Sequence, residues 1–184
     1  MVLTKTPICN FGEKAKDFNL KSTENKQISL KDVTGKNGTL VMFICNHCPY
    51  VKAIIKDLVN DVKYLESLGI KSVGIMSNDV KNYPDDSFDN MISFSKLHNF
   101  SFPYLIDEKQ NIAKEFGAVC TPDFFGYNKN LELQYRGRIR ELKDLKPVKK
   151  GDSDLKLAMK LVAETGKGPK DQIPSMGCNI KWFK

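Results

Sequence analysis

The chain has 184 residues, 41% hydrophobic and 28% charged, which fits one globular domain with a substantial core and excludes a disordered or fibrous chain. The net charge of +7 comes entirely from residues 136–184, where 13 basic side chains face 6 acidic ones, because residues 1–135 carry 16 of each. That pattern reads as a solvated lysine-rich region, and with no aromatic stacking pattern beside it a nucleic-acid partner is not expected.

Residues 13–20 lead into a strand, and Gln27–Leu30 supplies a second after the polar turn at 23–26, so the chain opens with a β-hairpin. The apolar run Leu40-Val41-Met42-Phe43-Ile44 predicts a buried strand over 39–44. A helix over 46–68 follows, with Val51, Ile54, Ile55, Leu58, Val62 and Leu65 on one stripe and Gly69 as its stop. Ile70–Met76 is the next strand and 77–86 a loop. Ser87 caps a helix running to His98, whose own role is at the helix end. Residues 102–106 form a short strand, 109–116 a short helix closed by Gly117, and strands at 123–127 and 131–136 flank the turn 128–130. A late helix spans 152–165, and 170–184 shows no period. Alternating strands and helices predict an α/β domain. It comprises a core of about 11–136 and a helical extension over 137–184. No apolar run approaches the roughly 18 residues of a membrane span, so no membrane partner is expected. Met1–Pro7 lacks the apolar stretch of a secretory signal, which makes a cytoplasmic location the default expectation.

The chemistry concentrates in Cys45-Asn46-His47-Cys48-Pro49, where a buried strand meets a helix. Two thiols at this spacing can close a disulfide. Unpaired N–H groups and the helix dipole at a helix start favour a thiolate, which is the nucleophile of thiol–disulfide exchange. Five cysteines, an odd number, do not suggest a structural disulfide framework.

The chain resembles the thioredoxin-like redoxin group, and within it the peroxiredoxin-like (AhpC/TSA-type) proteins that carry a Cys-x-x-Cys pair. The resemblance is carried by Ala15–Leu20, Phe43–Val51, Ser77-Asn78-Asp79, Asn82–Ser87, Cys120–Phe125 and Gly177–Trp182. It implies a thioredoxin-like fold, in which a central mixed sheet is flanked by helices. It also implies a cis peptide before Pro122, lying against the cysteine pair. Thr121 and Pro49 would then help to bind an extended substrate segment beside the sulfurs.

On this reading Cys45, the more exposed sulfur, attacks a disulfide, and Cys48, one turn into the helix, resolves the mixed disulfide. His47 stabilises the Cys45 thiolate and makes the pair more oxidising than thioredoxin, whose potential is about −270 mV. The expected partners are protein or small-molecule thiols and disulfides, with no cofactor. Cys120 and Cys178 are candidates for a relay, Cys9 is incidental, and Trp182 and Phe183 anchor the tail. The chain departs from the peroxiredoxin Thr-x-x-Cys motif, since Cys45 takes the threonine position and Cys48 the peroxidatic one. The Thr121-Pro122 region stands where the remote arginine is expected, and Arg136, Arg138 and Arg140 are assigned to other sites. Thiol peroxidase activity is therefore an alternative. A second alternative is a soft-metal module using Cys45, His47 and Cys48 with Cys120 or Cys178.

Overall fold

The computed structural model describes residues 2–184. In chain order the elements are β1 (Leu3–Lys5), β2 (Asn19–Ser22), β3 (Gln27–Ser29), β4 (Gly38–Phe43), α1 (Pro49–Ser67), β5 (Ile70–Met76), α2 (Phe88–Leu97) and β6 (Tyr104–Ile106). They continue with α3 (Asn111–Phe116), β7 (Cys120–Thr121), β8 (Asp123–Asn128), β9 (Leu133–Tyr135), β10 (Leu142–Lys143), β11 (Lys146–Pro147), α4 (Asp154–Thr165) and β12 (Met176–Asn179). The main sheet has the order β3-β2-β6-β5-β4-β8-β9. It is mixed, because β4 and β6 run parallel to β5 while β8 is antiparallel to β4.

The alternation along β4 explains why the sheet is buried on both sides. Leu40 and Met42 join the residues of α1, α2 and α4 in one apolar cluster. Val41 and Phe43 point the other way and join Phe125, Tyr127 and Phe116 of α3 in a second. Every residue of β4 is buried, which is why that strand reads as a continuous apolar run. The result is a thioredoxin-like α/β fold with the expected hairpin, here β2–β3, and a C-terminal extension centred on α4. Among the described residues no helix is long and apolar enough to cross a membrane.

Two features differ from the sequence expectation. The tail is not irregular, because β12 pairs with β1 on one side and β7 on the other. The helix after β4 also begins at Pro49 rather than 46, with Cys48 as its N-cap. Proline suits the first helical position, where its missing N–H has no partner to lose. That shift of three residues moves Cys48 from the interior of the helix to its threshold.

Candidate active site

The strand end at Phe43, the α1 start and the β7–β8 junction bring the sequence-predicted residues together. The Thr121–Pro122 peptide is cis. Thr121 faces both members of the cysteine pair: its hydroxyl lies 3.3 Å from Cys45 Sγ, and its carbonyl oxygen 3.2 Å from Cys48 Sγ. β12 runs beside this junction with Cys178 directly opposite Thr121, and Cys178 Sγ lies 2.9 Å from Cys48 Sγ. Three sulfurs thus converge, with Cys48 in the middle. Cys120 sits in the same strand as Thr121, but its sulfur is directed at the Pro122 carbonyl oxygen, 3.6 Å away. Burial pushes its thiol far up.

Both Cys45 and Cys48 are fully buried, so the expectation of an exposed Cys45 and a shielded Cys48 is corrected. The distribution of charge is corrected as well. The hydrogen bond from Cys45 does most to bring Cys48 down, to about 5. Burial works against this, while the Cys178 thiol and the Val51 N–H in the first turn of α1 reinforce it. The nearby Thr121 carbonyl is the neighbour that favours the protonated form. Burial is the main reason that Cys45 is held well above the usual thiol value, followed by its hydrogen bond to Cys48 and the charge of Asp86. The two shifts run in opposite directions, so Cys48 is the sulfur of the pair that takes a negative charge more readily. The Thr121 hydroxyl and the Cys45 thiol can each be the donor in their contact.

His47 does not act as expected on Cys45. Its Nδ1 lies 4.0 Å from Cys45 Sγ but 2.5 Å from Asp86 Oδ2. That hydrogen bond raises its pKa above the ordinary value, because the carboxylate favours the charged form of the ring. Asp86 is fully buried. Its burial pushes its pKa up, but hydrogen bonds from His47, Asn78 and the Asn46 N–H more than offset that and leave it lowered. Asp86 also accepts from the His47 backbone N–H, so it fixes the loop between the two cysteines. Sequence reasoning missed Asp86, Asn78 and Tyr104, whose hydroxyl donates to Asn46 Oδ1 at 2.9 Å. The one signal for Asn78 and Asp86 is that 77–79 and 82–87 belong to the resemblance without a role, and Tyr104 has none.

The tail is anchored through its backbone rather than by its aromatic rings. The Lys181 N–H donates to Asn78 Oδ1, the Asp79 N–H to the Lys181 carbonyl, and the Phe183 N–H to Gln110 Oε1. Trp182 and Phe183 remain exposed. Arg136 is held by Asp123, at 3.0 Å, and by the Gly117 carbonyl. The ligand atoms of Cys45, His47 and Asp86 lie within 4.8 Å of one another, a metal-like grouping. It differs from the expected set of sulfurs and His47, and a cation there would have to displace donors already bonded to Asp86. Tyr50 and Pro122 line an adjoining cavity of about 450 Å³, with Ile54, Ile139, Leu142 and Met176 among its apolar walls.

A model of the AhpC/TSA family matches residues 11–142. An uncharacterized conserved protein from Geobacillus kaustophilus is 34% identical, with a TM-score of 0.94 over 100% of this chain and 97% of that one. A hypothetical protein from Sinorhizobium meliloti 1021 is 33% identical, with a TM-score of 0.90 over 98% of each chain. The peroxidoxin BcpB of Mycobacterium tuberculosis shares the fold at 15% identity, with a TM-score of 0.57 over 69% of this chain and 83% of that one. A search of curated proteins finds no match.

Proposed function

The chain belongs to the AhpC/TSA family, and on that footing we propose that it is a thiol–disulfide oxidoreductase working through Cys45 and Cys48 beside the Thr121–Pro122 loop. The observation that carries this reading is the pair of sulfurs meeting at Thr121 at the start of α1, where the surroundings of Cys48 lower its thiol. Cys48 attacks one sulfur of a substrate disulfide, and the other leaves as a thiolate. Cys45 then gives its proton to that leaving thiolate and attacks Cys48 Sγ. The second substrate sulfur departs as a thiolate and takes a proton from solvent, leaving the substrate reduced by two electrons and Cys45–Cys48 oxidised. The reverse sequence oxidises a dithiol. Thr121 is buried and paired with Cys178 of β12, so its part is to position the two sulfurs rather than to pair with a substrate segment, and Pro49 holds the first turn of α1 behind Cys48. Partners are thiols and disulfides of proteins or small molecules.

The test is disulfide reduction by wild type, Cys48→Ser and Cys45→Ser, with thiols counted by mass before and after oxidation. Loss of two thiols on oxidation, joined as Cys45–Cys48, and no turnover by Cys48→Ser are expected. Full turnover by Cys48→Ser would exclude the assignment.

One observation favours a second reading. Cys48 stands at the peroxidatic position of the family motif and is the lowered thiol of the pair. Its thiolate could take one oxygen from a hydroperoxide to give the sulfenic acid, which Cys45 would resolve with release of water. Against it, Arg136 is engaged by Asp123 and Gly117. Peroxide consumption by the same variants decides between the two.

A further inference from the structure

Cys48 has two thiol neighbours, and the exchange described above uses only one. Cys178 Sγ lies 2.9 Å from Cys48 Sγ, closer than two sulfurs approach in ordinary contact. The contact is built rather than incidental. Cys178 is fixed in register opposite Thr121 on β7 and opposite Leu3 on β1, and both thiols are buried. The approach depends on Gly177, where a Cβ would fall 2.1 Å from the Thr121 carbonyl oxygen. A residue with a side chain there would force β12 away from β7.

We propose that Cys178 is a third exchanging thiol, so that Cys48 can close a disulfide either with Cys45 or with Cys178. The inference rests on the exchange chemistry of Cys48 proposed above. In the oxidised protein the Cys178 thiolate attacks Cys48 Sγ, the Cys45–Cys48 bond breaks, and Cys45 leaves as a thiolate. The proton given up by Cys178 ends on Cys45, and no electrons are gained or lost overall. Burial and the Cys48 anion hold the Cys178 thiol up at about 12 in the reduced state. The second of these causes disappears once Cys48 is in a disulfide, which brings the Cys178 thiol down, while burial still holds it above the ordinary value. The product ties β12 to the start of α1 and returns Cys45 to the thiol state. Cys178 can likewise resolve a mixed disulfide on Cys48 when Cys45 is otherwise engaged.

The experiment compares wild type, Cys45→Ser, Cys178→Ser and Cys45→Ser/Cys178→Ser after oxidation by glutathione disulfide, acid quenching and peptide mapping by mass spectrometry. Cys45→Ser is expected to give a Cys48–Cys178 disulfide with no glutathione retained. The double variant is expected to stop at the Cys48–glutathione mixed disulfide. Equal accumulation of that mixed disulfide in both would overturn the proposal. Wild type needs no substitution and serves if a variant fails to fold: a Cys48–Cys178 peptide beside Cys45–Cys48 supports the proposal, and Cys45–Cys48 alone refutes it. Cys178→Ser that still cycles through Cys45–Cys48 shows that the proposed function stands whichever way this result falls. A Cys48–Cys178 disulfide without disulfide-reducing activity would sink that function and leave this inference intact.

Discussion

The most demanding consequence of an anion on Cys48 is the way the reduction potential should vary with pH. Cys48 is brought down from the ordinary 9.0 to about 5. At pH 7 it is therefore the sulfur of the pair that ionises, which stabilises the reduced form by on the order of 3 kcal/mol relative to two ordinary thiols. For a two-electron couple this corresponds to a potential about 60 mV more oxidising. The sign follows from mass action, because anything that binds the reduced form and not the disulfide favours reduction of the pair. The slope is the sharper signature. Reduction takes up two protons below the Cys48 pKa and one above it, giving about −59 mV per pH unit and then about −30 mV per pH unit. Equilibration with glutathione or dithiothreitol buffers between pH 6 and 8, acid quenching and counting of alkylated thiols gives both numbers. A slope near −30 mV per pH unit is expected, with a potential above the roughly −270 mV of thioredoxin. A slope near −59 mV per pH unit over that range would refute the reasoning, since it requires both thiols to be protonated at neutral pH.

Asp86→Asn should let the His47 pKa fall toward 6.5, read by NMR titration of its ring protons. The raised His47 pKa contributes stability that is complete below 6.5 and lost as pH rises through the folded value. The lowered Asp86 pKa contributes stability that is present above 3.8 and lost as pH falls through its folded value. The pair therefore stabilises most between these limits, and the variant should lower the urea midpoint there and flatten its pH profile on either side. Arg136→Met leaves Asp123 buried without its cation and should cost about 3–5 kcal/mol in urea unfolding, with part recovered in Asp123→Asn/Arg136→Met. Gly177→Ala pushes a methyl against the Thr121 carbonyl, so it should lower stability by about 1–3 kcal/mol. It should also abolish any Cys48–Cys178 disulfide while Cys45–Cys48 still forms, as peptide mapping would show.

What could be read from the sequence was what its periodicities encode. The unbroken apolar run of β4 and the stripe of α1 are local signals, and they placed the cysteine pair at a strand–helix junction. Asp86 was invisible for the opposite reason. It sits among Asp85 and Asp89 in a polar stretch, and nothing local distinguishes the acid that folds beneath His47, 39 residues away in sequence. Cys178 is 130 residues from Cys48, and its strand is too short and too glycine-dependent to show a period of two. Only long-range pairing with β1 and β7 makes it a strand at all.

The identity of the anionic sulfur was in the sequence after all, in Pro49. A proline favours the first helical position, which makes Cys48 the N-cap and sets its sulfur beside the first turn of α1, where the Val51 backbone helps to lower the thiol. Starting the helix at 46 instead gives that advantage to Cys45. Cys45 lies before the helix, fully buried and beside the carboxylate of Asp86. Both surroundings penalise a negative charge, so it keeps the proton that Cys48 gives up. Under the proposed exchange, one turn boundary placed three residues early inverts the roles of attacking and resolving sulfur. It also decides where the third thiol matters, because Cys178 touches the sulfur that attacks rather than the one that resolves.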